Sequence, residues 1–324
     1  MGVLVLNERE VVELLDMPGC IATMEEALAS LARGELYLPL RSIARPPGHD
    51  DLLGLMPSHR GGDRPLYSLK TVCVVPDNPT RGLDPHQGTV TLYDGVSGEV
   101  RAVLNATPIT AIRTAACTAV ATKLLAREGA AVAAIVGAGH QAKAHLEALR
   151  TIRDFDEIRI TSRTPENARA LADAAPNARA VLSVEEALDG AGVVVTVTNS
   201  AEPVLRRDWL DDGVHVNAVG SCFPHTRELD SATVAAAAFF VDRRESAENE
   251  AGDLLLAVKD GAVSGPDHIR AEVGDVLVGD ATGRESEDEI TVFESLGIAI
   301  EDLFAADYVV RRARETGRGT ELDF

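Results

Sequence analysis

The sequence predicts an α/β protein, a doubly wound parallel sheet joined to a second domain of mixed α+β structure. Two observations carry this. From Ala131 onward, short apolar runs alternate with helical stretches, the rhythm of parallel strands with right-handed crossovers. From Tyr37 to about Leu104 the pattern changes to short β runs punctuated by Pro and Gly. A chain of 324 residues is long enough for two such cores.

In chain order, Val3–Leu6 reads as a strand. Two amphipathic helices follow to about residue 36, with Met24, Ala27, Leu28 and Leu31 on one face. The next candidate strands are LLGLMPS from Leu52, LYSLKTVCVV from Leu66, GTVTLYD from Gly88 and VRAVLNA from Val100. Asp94-Gly95 and Ser97-Gly98 are turn dipeptides, so the last two runs form a hairpin. Thr107-Pro108 predicts a helix start, with Thr107 as N-cap and Pro108 in the first helical position. That helix is rich in Ala and Thr, ends near Gly129, and suits close packing at a domain junction.

Later strands are expected at Ala131–Val136, Glu157–Thr161, Ala178–Leu182, Val193–Val197, Val214–Val219 and Ala238–Val241, with a last one at Ile290–Phe293. Ser183-Val184-Glu185-Glu186 announces a helix by a reciprocal capping box. Gly297–Arg314 reads as a final amphipathic helix, with Ile298, Ile300, Leu303, Phe304, Ala306 and Val309 as apolar members.

The first strand of the alternating region breaks into Gly137-Ala138-Gly139-His140-Gln141-Ala142, and a helical pattern follows. Strand, GxGxxA turn and helix make the first unit of a dinucleotide-binding, Rossmann-type fold. Gly137 permits the tight turn, Gly139 lets the backbone approach a pyrophosphate, and Ala142 lets helix and strand pack closely. The pyrophosphate would rest on the N–H groups and positive end of the new helix. An acidic residue at the end of the second strand would select NAD through the ribose. This chain has Thr161-Ser162-Arg163-Thr164 there. With no carboxylate to repel a 2′-phosphate and Arg163 able to pair with one, the expected cofactor is NADP, with NAD left open. A solvated surface arginine is the plain alternative.

The formal charge of −20 argues against nucleic acid and anionic membrane surfaces as partners. No run approaches the ~18 apolar residues of a membrane span. The N-terminus acquires acidic residues at once, unlike a signal peptide. Cys20, Cys73, Cys117 and Cys222 form no CxxC pair, and the histidines are scattered, so no metal is expected and reduced thiols in a cytoplasmic protein are. The only lysines are Lys70, Lys123, Lys143 and Lys259. Codon bias toward arginine explains this simply; adaptation to high salt would also produce it.

Alternation puts Ser68, Lys70, Val72 and Val74 on one strand face. A lysine there needs an anion partner or a pocket, unless it guards an edge strand. Arg113 lies in the Ala-rich helix among Thr110, Ala116 and Cys117, and Arg41 follows Leu38-Pro39-Leu40. Each has a reading as a structural ion pair; together they make a clamp for a carboxylate.

Several segments now resemble one family. They are Pro39-Leu40-Arg41, Leu53-Gly54-Leu55-Met56-Pro57, Leu69-Lys70, His86-Gln87-Gly88-Thr89-Val90, Ile112-Arg113-Thr114-Ala115-Ala116, the glycine turn, Asn217-Ala218-Val219-Gly220, Arg227-Glu228-Leu229-Asp230 and Ser295-Leu296-Gly297. They look like the ornithine cyclodeaminase/mu-crystallin family, in order and over essentially the whole chain. The resemblance implies a substrate-binding and dimerisation domain from residues 1–115 with 298–324, a Rossmann domain from 116–297, and a homodimer. It implies that Arg41, Lys70 and Arg113 hold a substrate carboxylate and serve catalysis, with Met56 and Cys222 beside the substrate. It further implies cofactor contacts from Gln87, Thr89, Thr114, Gly137, Ala138, Gly139, His140, Gln141, Ser162, Arg163, Thr164, Thr196, Val197, Thr198, Val219, Gly220 and Ser295.

One departure bears on the activity. Cyclodeaminases carry an aspartate where this chain has Cys222, in Gly220-Ser221-Cys222-Phe223-Pro224-His225. A neutral thiol cannot bind an ammonium group and shuttle its proton as a carboxylate does. The loop looks more like that of mu-crystallin and ketimine reductases. The expected activity is NAD(P)H-dependent reduction of an imino acid, or of a 2-oxo acid plus amine, to an L-amino or cyclic amino acid, alanine dehydrogenase-like chemistry included. The alternatives are a redox-neutral ornithine cyclodeaminase and a non-catalytic NADPH-dependent binding protein.

Overall fold

A computed structural model describes residues 2–323. The chain forms two compact units: residues up to Arg113 with those from Ile298 onward, and Thr114–Gly297.

The first unit contains β1 (Val3–Leu6), α1 (Glu8–Leu14), α2 (Met17–Ala32), β2 (Leu36–Tyr37), β3 (Ser42–Ala44), β4 (Leu52–Arg60), β5 (Leu66–Val74), β6 (His86–Asp94), β7 (Val100–Asn105) and the first part of α3 (Ala106–Leu125). The strands form a sheet in the order β16-β1-β7-β6-β5-β4-β2, with β3 on β4; β16 is the C-terminal strand Thr320–Leu322. Alternation works as expected: Leu52, Met56 and Ser58 of β4, Ser68, Lys70 and Val72 of β5, and Val90 and Leu92 of β6 are buried on one face. The C-terminal helix α11 (Ala299–Thr316) covers that face, lying against β4, β5, β6 and α2. Lys70 is therefore no edge residue, because β5 pairs with β4 along one side and β6 along the other.

The start of α3 differs from expectation. Asn105 is the cap, its Oδ1 accepting from Thr107 N–H at 2.9 Å. Thr107 lies inside the first turn and spends its hydroxyl on His86 O at 2.8 Å. The helix also ends at Leu125 rather than near Gly129.

The second unit holds β8 (Val132–Val136), α4 (His140–Ile152), β9 (Glu157–Thr161), α5 (Pro165–Ala172), β10 (Ala178–Ala180), α6 (Val184–Leu188), β11 (Val193–Thr196), β12 (His215–Ala218), α7 (Ser231–Ala236), β13 (Ala238–Val241), α8 (Arg244–Glu250), α9 (Gly252–Lys259), β14 (Ile269–Glu272), α10 (Val273–Val278) and β15 (Thr291–Glu294). Every strand pair in it is parallel, in the order β10-β9-β8-β11-β12-β15-β13-β14. Both faces are covered by apolar clusters, which is why the strands read as continuous apolar runs. The order reverses between β8 and β11, so the ligand crevice of such a sheet opens at their carboxyl ends.

Two expectations need correction here. The box at Ser183 forms by halves: Ser183 Oγ accepts from Glu186 N–H, but the Glu186 carboxylate takes Leu182 N–H instead of that of Ser183. A complete box forms at Asn7 and Glu10. Strand β14 also lies between Val241 and Ile290, where the sequence predicts no strand.

Candidate active site

Parallel register lines up the carboxyl ends of five strands. Thr161 pairs with Val136, Val136 with Thr196, Thr196 with Ala218, and Ala218 with Glu294. The residues just beyond that row are the glycine turn, Ser162-Arg163-Thr164, Val197-Thr198, Val219-Gly220 and Ser295. One sheet edge thus collects most of the residues assigned to the cofactor.

Local geometry there fits a dinucleotide. Gly137 has φ +121°, and a Cβ on it would lie 2.7 Å from Val197 O, so only glycine serves this turn. Gly139 is the N-cap of α4, and a Cβ on it would meet nothing within 4 Å. Among the described residues no side chain caps α4, which leaves its first N–H groups to an anion. Ala142 is fully buried against the strand. Arg163 is exposed and makes no ion pair among the described residues. Ser295 Oγ is buried without a hydrogen-bond partner among the described residues. Thr114 is buried in α3.

Four buried carboxyl groups surround this edge: Glu228, Asp242, Asp253 and Glu294. Asp242 accepts the N–H groups of Leu296 and Gly297, each at 2.8 Å, which fixes the turn after β15. Ser221 Oγ contacts both Asp253 Oδ2 and, at 3.2 Å, Glu294 Oε1. A hydroxyl has one hydrogen, so it donates to one carboxylate and accepts from a protonated other. Asp253 Oδ1 already accepts two backbone N–H groups, whereas Glu294 Oε2 has no partner. The proton therefore resides on Glu294, whose carboxyl is pushed well up by burial and by the charge of Asp253.

In the first unit, Lys70 and Arg113 converge on α11. Lys70 Nζ lies 3.1 Å from Asp302 Oδ1, Arg113 Nε 3.2 Å from the same oxygen, and Arg113 Nη1 2.6 Å from Glu301 Oε2. All four side chains are buried. Burial lowers the Lys70 ammonium to about 8, with Asp302 opposing and the charges of Arg113 and Arg41 assisting the fall. Arg41, on the loop between β2 and β3, is half-buried. The cross-strand neighbours of Lys70 are the buried, apolar Met56 and Val90. Glu301 and Asp302 escaped the sequence reading. Their signal was an acid within an apolar stripe, since Asp302 sits four residues from both Ile298 and Ala306.

Val90 shares the face of Lys70, so Gln87 and Thr89 lie on the opposite, exposed face of β6. Cys222 is half-buried against the apolar cluster of the second unit, and His225 is exposed beside Phe223.

Residues 2–317 match the sequence profile of the ornithine cyclodeaminase/mu-crystallin family. The chain belongs to that family. It is 40% identical to the ketimine reductase mu-crystallin of Mus musculus over 293 residues, 89% of this chain and 90% of the mouse protein. The solved structure of Thermococcus litoralis Delta(1)-pyrroline-2-carboxylate reductase, in complex with NADH and L-proline, superposes with TM-score 0.95 and 34% identity, covering 99% of this chain and 100% of that one. An archaeal alanine dehydrogenase dimer with bound NAD gives TM-score 0.94 and 33% identity over the full length of both chains. These two solved structures thus share the fold described here, one holding L-proline and the other named for alanine.

Proposed function

We propose that this family member is an NAD(P)H-dependent imine reductase, converting an α-imino acid, cyclic or open, to the corresponding L-amino acid. The observation that carries the reading is the buried Lys70–Asp302–Arg113–Glu301 cluster, which binding a nucleotide alone would not require. When bound, the cofactor supplies a hydride to the imine carbon. Arg113 and Arg41 hold the substrate carboxylate, and Lys70 donates the proton that the imine nitrogen gains. A lysine near 8 is cationic at neutral pH yet gives up its proton readily, which suits that role. Met56 and Val90 give the site apolar walls.

The glycine turn and the α4 N-terminus hold the pyrophosphate, and Ser295 reaches the nicotinamide end. Arg163 with Ser162 and Thr164 favours NADPH, with NADH as the weaker partner. The protein works as a homodimer: Leu53, Leu55 and Leu69 leave an apolar, half-exposed patch on one sheet face, and the archaeal relative is a dimer. Four free cysteines suit the cytoplasm. Among the described residues, no helix is long and apolar enough to cross a membrane. Cys222 in place of a carboxylate disfavours redox-neutral ornithine cyclisation.

The test is nucleotide consumption with pyrroline-2-carboxylate, piperideine-2-carboxylate, pyruvate plus ammonia, and glyoxylate plus methylamine. Oxidation of NADPH or NADH with at least one of these supports the reading. Ammonia release from ornithine without net NADH change, or nucleotide binding with no turnover on the whole panel, sinks it.

A further inference from the structure

One buried carboxylate ties together the two turns at the middle of the nucleotide edge. Glu228 Oε1 accepts from Thr198 N–H at 2.5 Å. Its Oε2 accepts from Thr196 Oγ1 at 2.7 Å, Gly220 N–H at 2.7 Å and Val219 N–H at 3.3 Å. Thr196 ends β11 and Thr198 lies in the turn after it, while Val219 and Gly220 follow directly on β12. The contact between the turns is close: a Cβ on Gly220 would sit 1.9 Å from Thr198 O and 2.7 Å from Glu228 Cδ. Glu228 is itself fixed from behind, because Asp253 Oδ1 accepts the N–H groups of both Glu228 and Leu229, each at 2.8 Å. The opposite side of the same turn abuts Gly137, through the approach of Val197 O. A single side chain therefore sets where Thr198 and Gly220 stand relative to the glycine turn.

We propose that Glu228 is a positioning residue for the dinucleotide, holding the 196–198 and 219–220 turns in the spacing that the nicotinamide half requires. This rests on the reading that those turns bind the cofactor. Glu228 touches neither hydride nor imine; it acts through the backbone it holds. Its loss is felt first in cofactor affinity and not in the chemical step.

The experiment is Glu228→Gln. The amide presents one oxygen and one NH2 where the carboxylate presents two acceptors. If the oxygen keeps Gly220 and Thr196, the NH2 faces the Thr198 N–H, and that turn is released. Fluorescence titration with NADPH and NADH should show Kd raised at least about tenfold. The KM for nucleotide should rise in parallel, while kcat at saturation stays within about threefold and the KM for imine is unchanged. Glu228→Asp, which keeps the charge, should recover part of the affinity. If Glu228→Gln does not fold, Glu228→Asp carries the same test with a smaller shift. Unchanged Kd with a lowered Tm would make Glu228 a purely structural residue and overturn the proposal. So would a fall in kcat at unchanged Kd. Wild-type protein that binds neither nucleotide fails the parent reading instead, before any variant is made.

Discussion

Lys70 and Asp302 are 232 residues apart in sequence and meet at 3.1 Å inside the first unit. Asp302 Oδ1 also serves Arg113, so one oxygen anchors two cations. The pairing sets both what Lys70 does and what its removal does.

Lys70→Met keeps length and packing while deleting the charge, and it leaves Asp302 still paired with Arg113. Imine reduction should fall at least ~10²-fold, as for other lost proton donors. NADPH affinity should hold, because the glycine turn is in the other unit. Asp302→Asn is the harsher change for stability: a buried ammonium loses its counter-ion, which costs about 3–5 kcal/mol. Kinetics, nucleotide titration and melting curves on both variants check this, and full activity in Lys70→Met removes Lys70 from the site.

The second prediction concerns pH. Reduction uses the cationic lysine, so kcat/KM should fall about tenfold per pH unit above the Lys70 value of about 8. Oxidation of the amino acid uses the neutral lysine and should rise through the same range. Lys70→Arg, which keeps its proton, should lose that limb. A profile that is the same in wild type and Lys70→Arg would assign the proton to another group.

Cofactor choice tests Arg163. Arg163→Asp removes the phosphate partner and supplies a ribose acceptor, so the preference should turn from NADPH to NADH. Wild-type protein binding NADH about tenfold more tightly than NADPH, a gap of ~1.4 kcal/mol, would contradict the role of Arg163.

Glu294 gives a stability prediction with a definite sign. Its carboxyl is neutral in the fold and ionises at an ordinary value in the unfolded chain. The unfolded state thus releases its proton first, and stability present below the usual glutamate range is lost as pH rises toward the raised folded value. Glu294 therefore lowers Tm as pH rises above the usual glutamate range, against the buried His145 and His215, whose lowered imidazoles raise stability as pH climbs to the usual histidine range. Glu294→Gln, neutral throughout, should remove that one contribution, while Asp253, Glu228, Glu301 and Glu272, also raised by burial, keep theirs. Parallel Tm curves for the two proteins would show that Glu294 is ionised in the fold.

Local features were legible in the sequence, and paired ones were not. The glycine turn and the alternation around Lys70 depend on neighbouring residues, so their patterns predict them. Strands β2, β3, β14 and β16 are two to four residues long and exist through their partners. Thr107 and Asn105 are both competent caps; a carbonyl on another strand, His86 O, decided between them. Glu228 stood in a recognised segment without a visible role, because its donors come from residues 8 to 32 positions earlier. Asp302 was hidden by the apolar helix that surrounds it.

The position of α11 after the whole second unit has a consequence for synthesis. The strand bearing Lys70 and the helix bearing Arg113 leave the ribosome long before Glu301 and Asp302 exist. Until then the sheet lacks both its covering helix and the anions for two cations that must be buried. The N-terminal part therefore waits, incomplete and exposed, while the whole intervening parallel sheet is made and can fold as a unit. Truncation just before α11 would leave a nucleotide-binding unit intact and deprive the other of its closing piece. A helix made after the parallel sheet thus commits a sheet made before it to its native form.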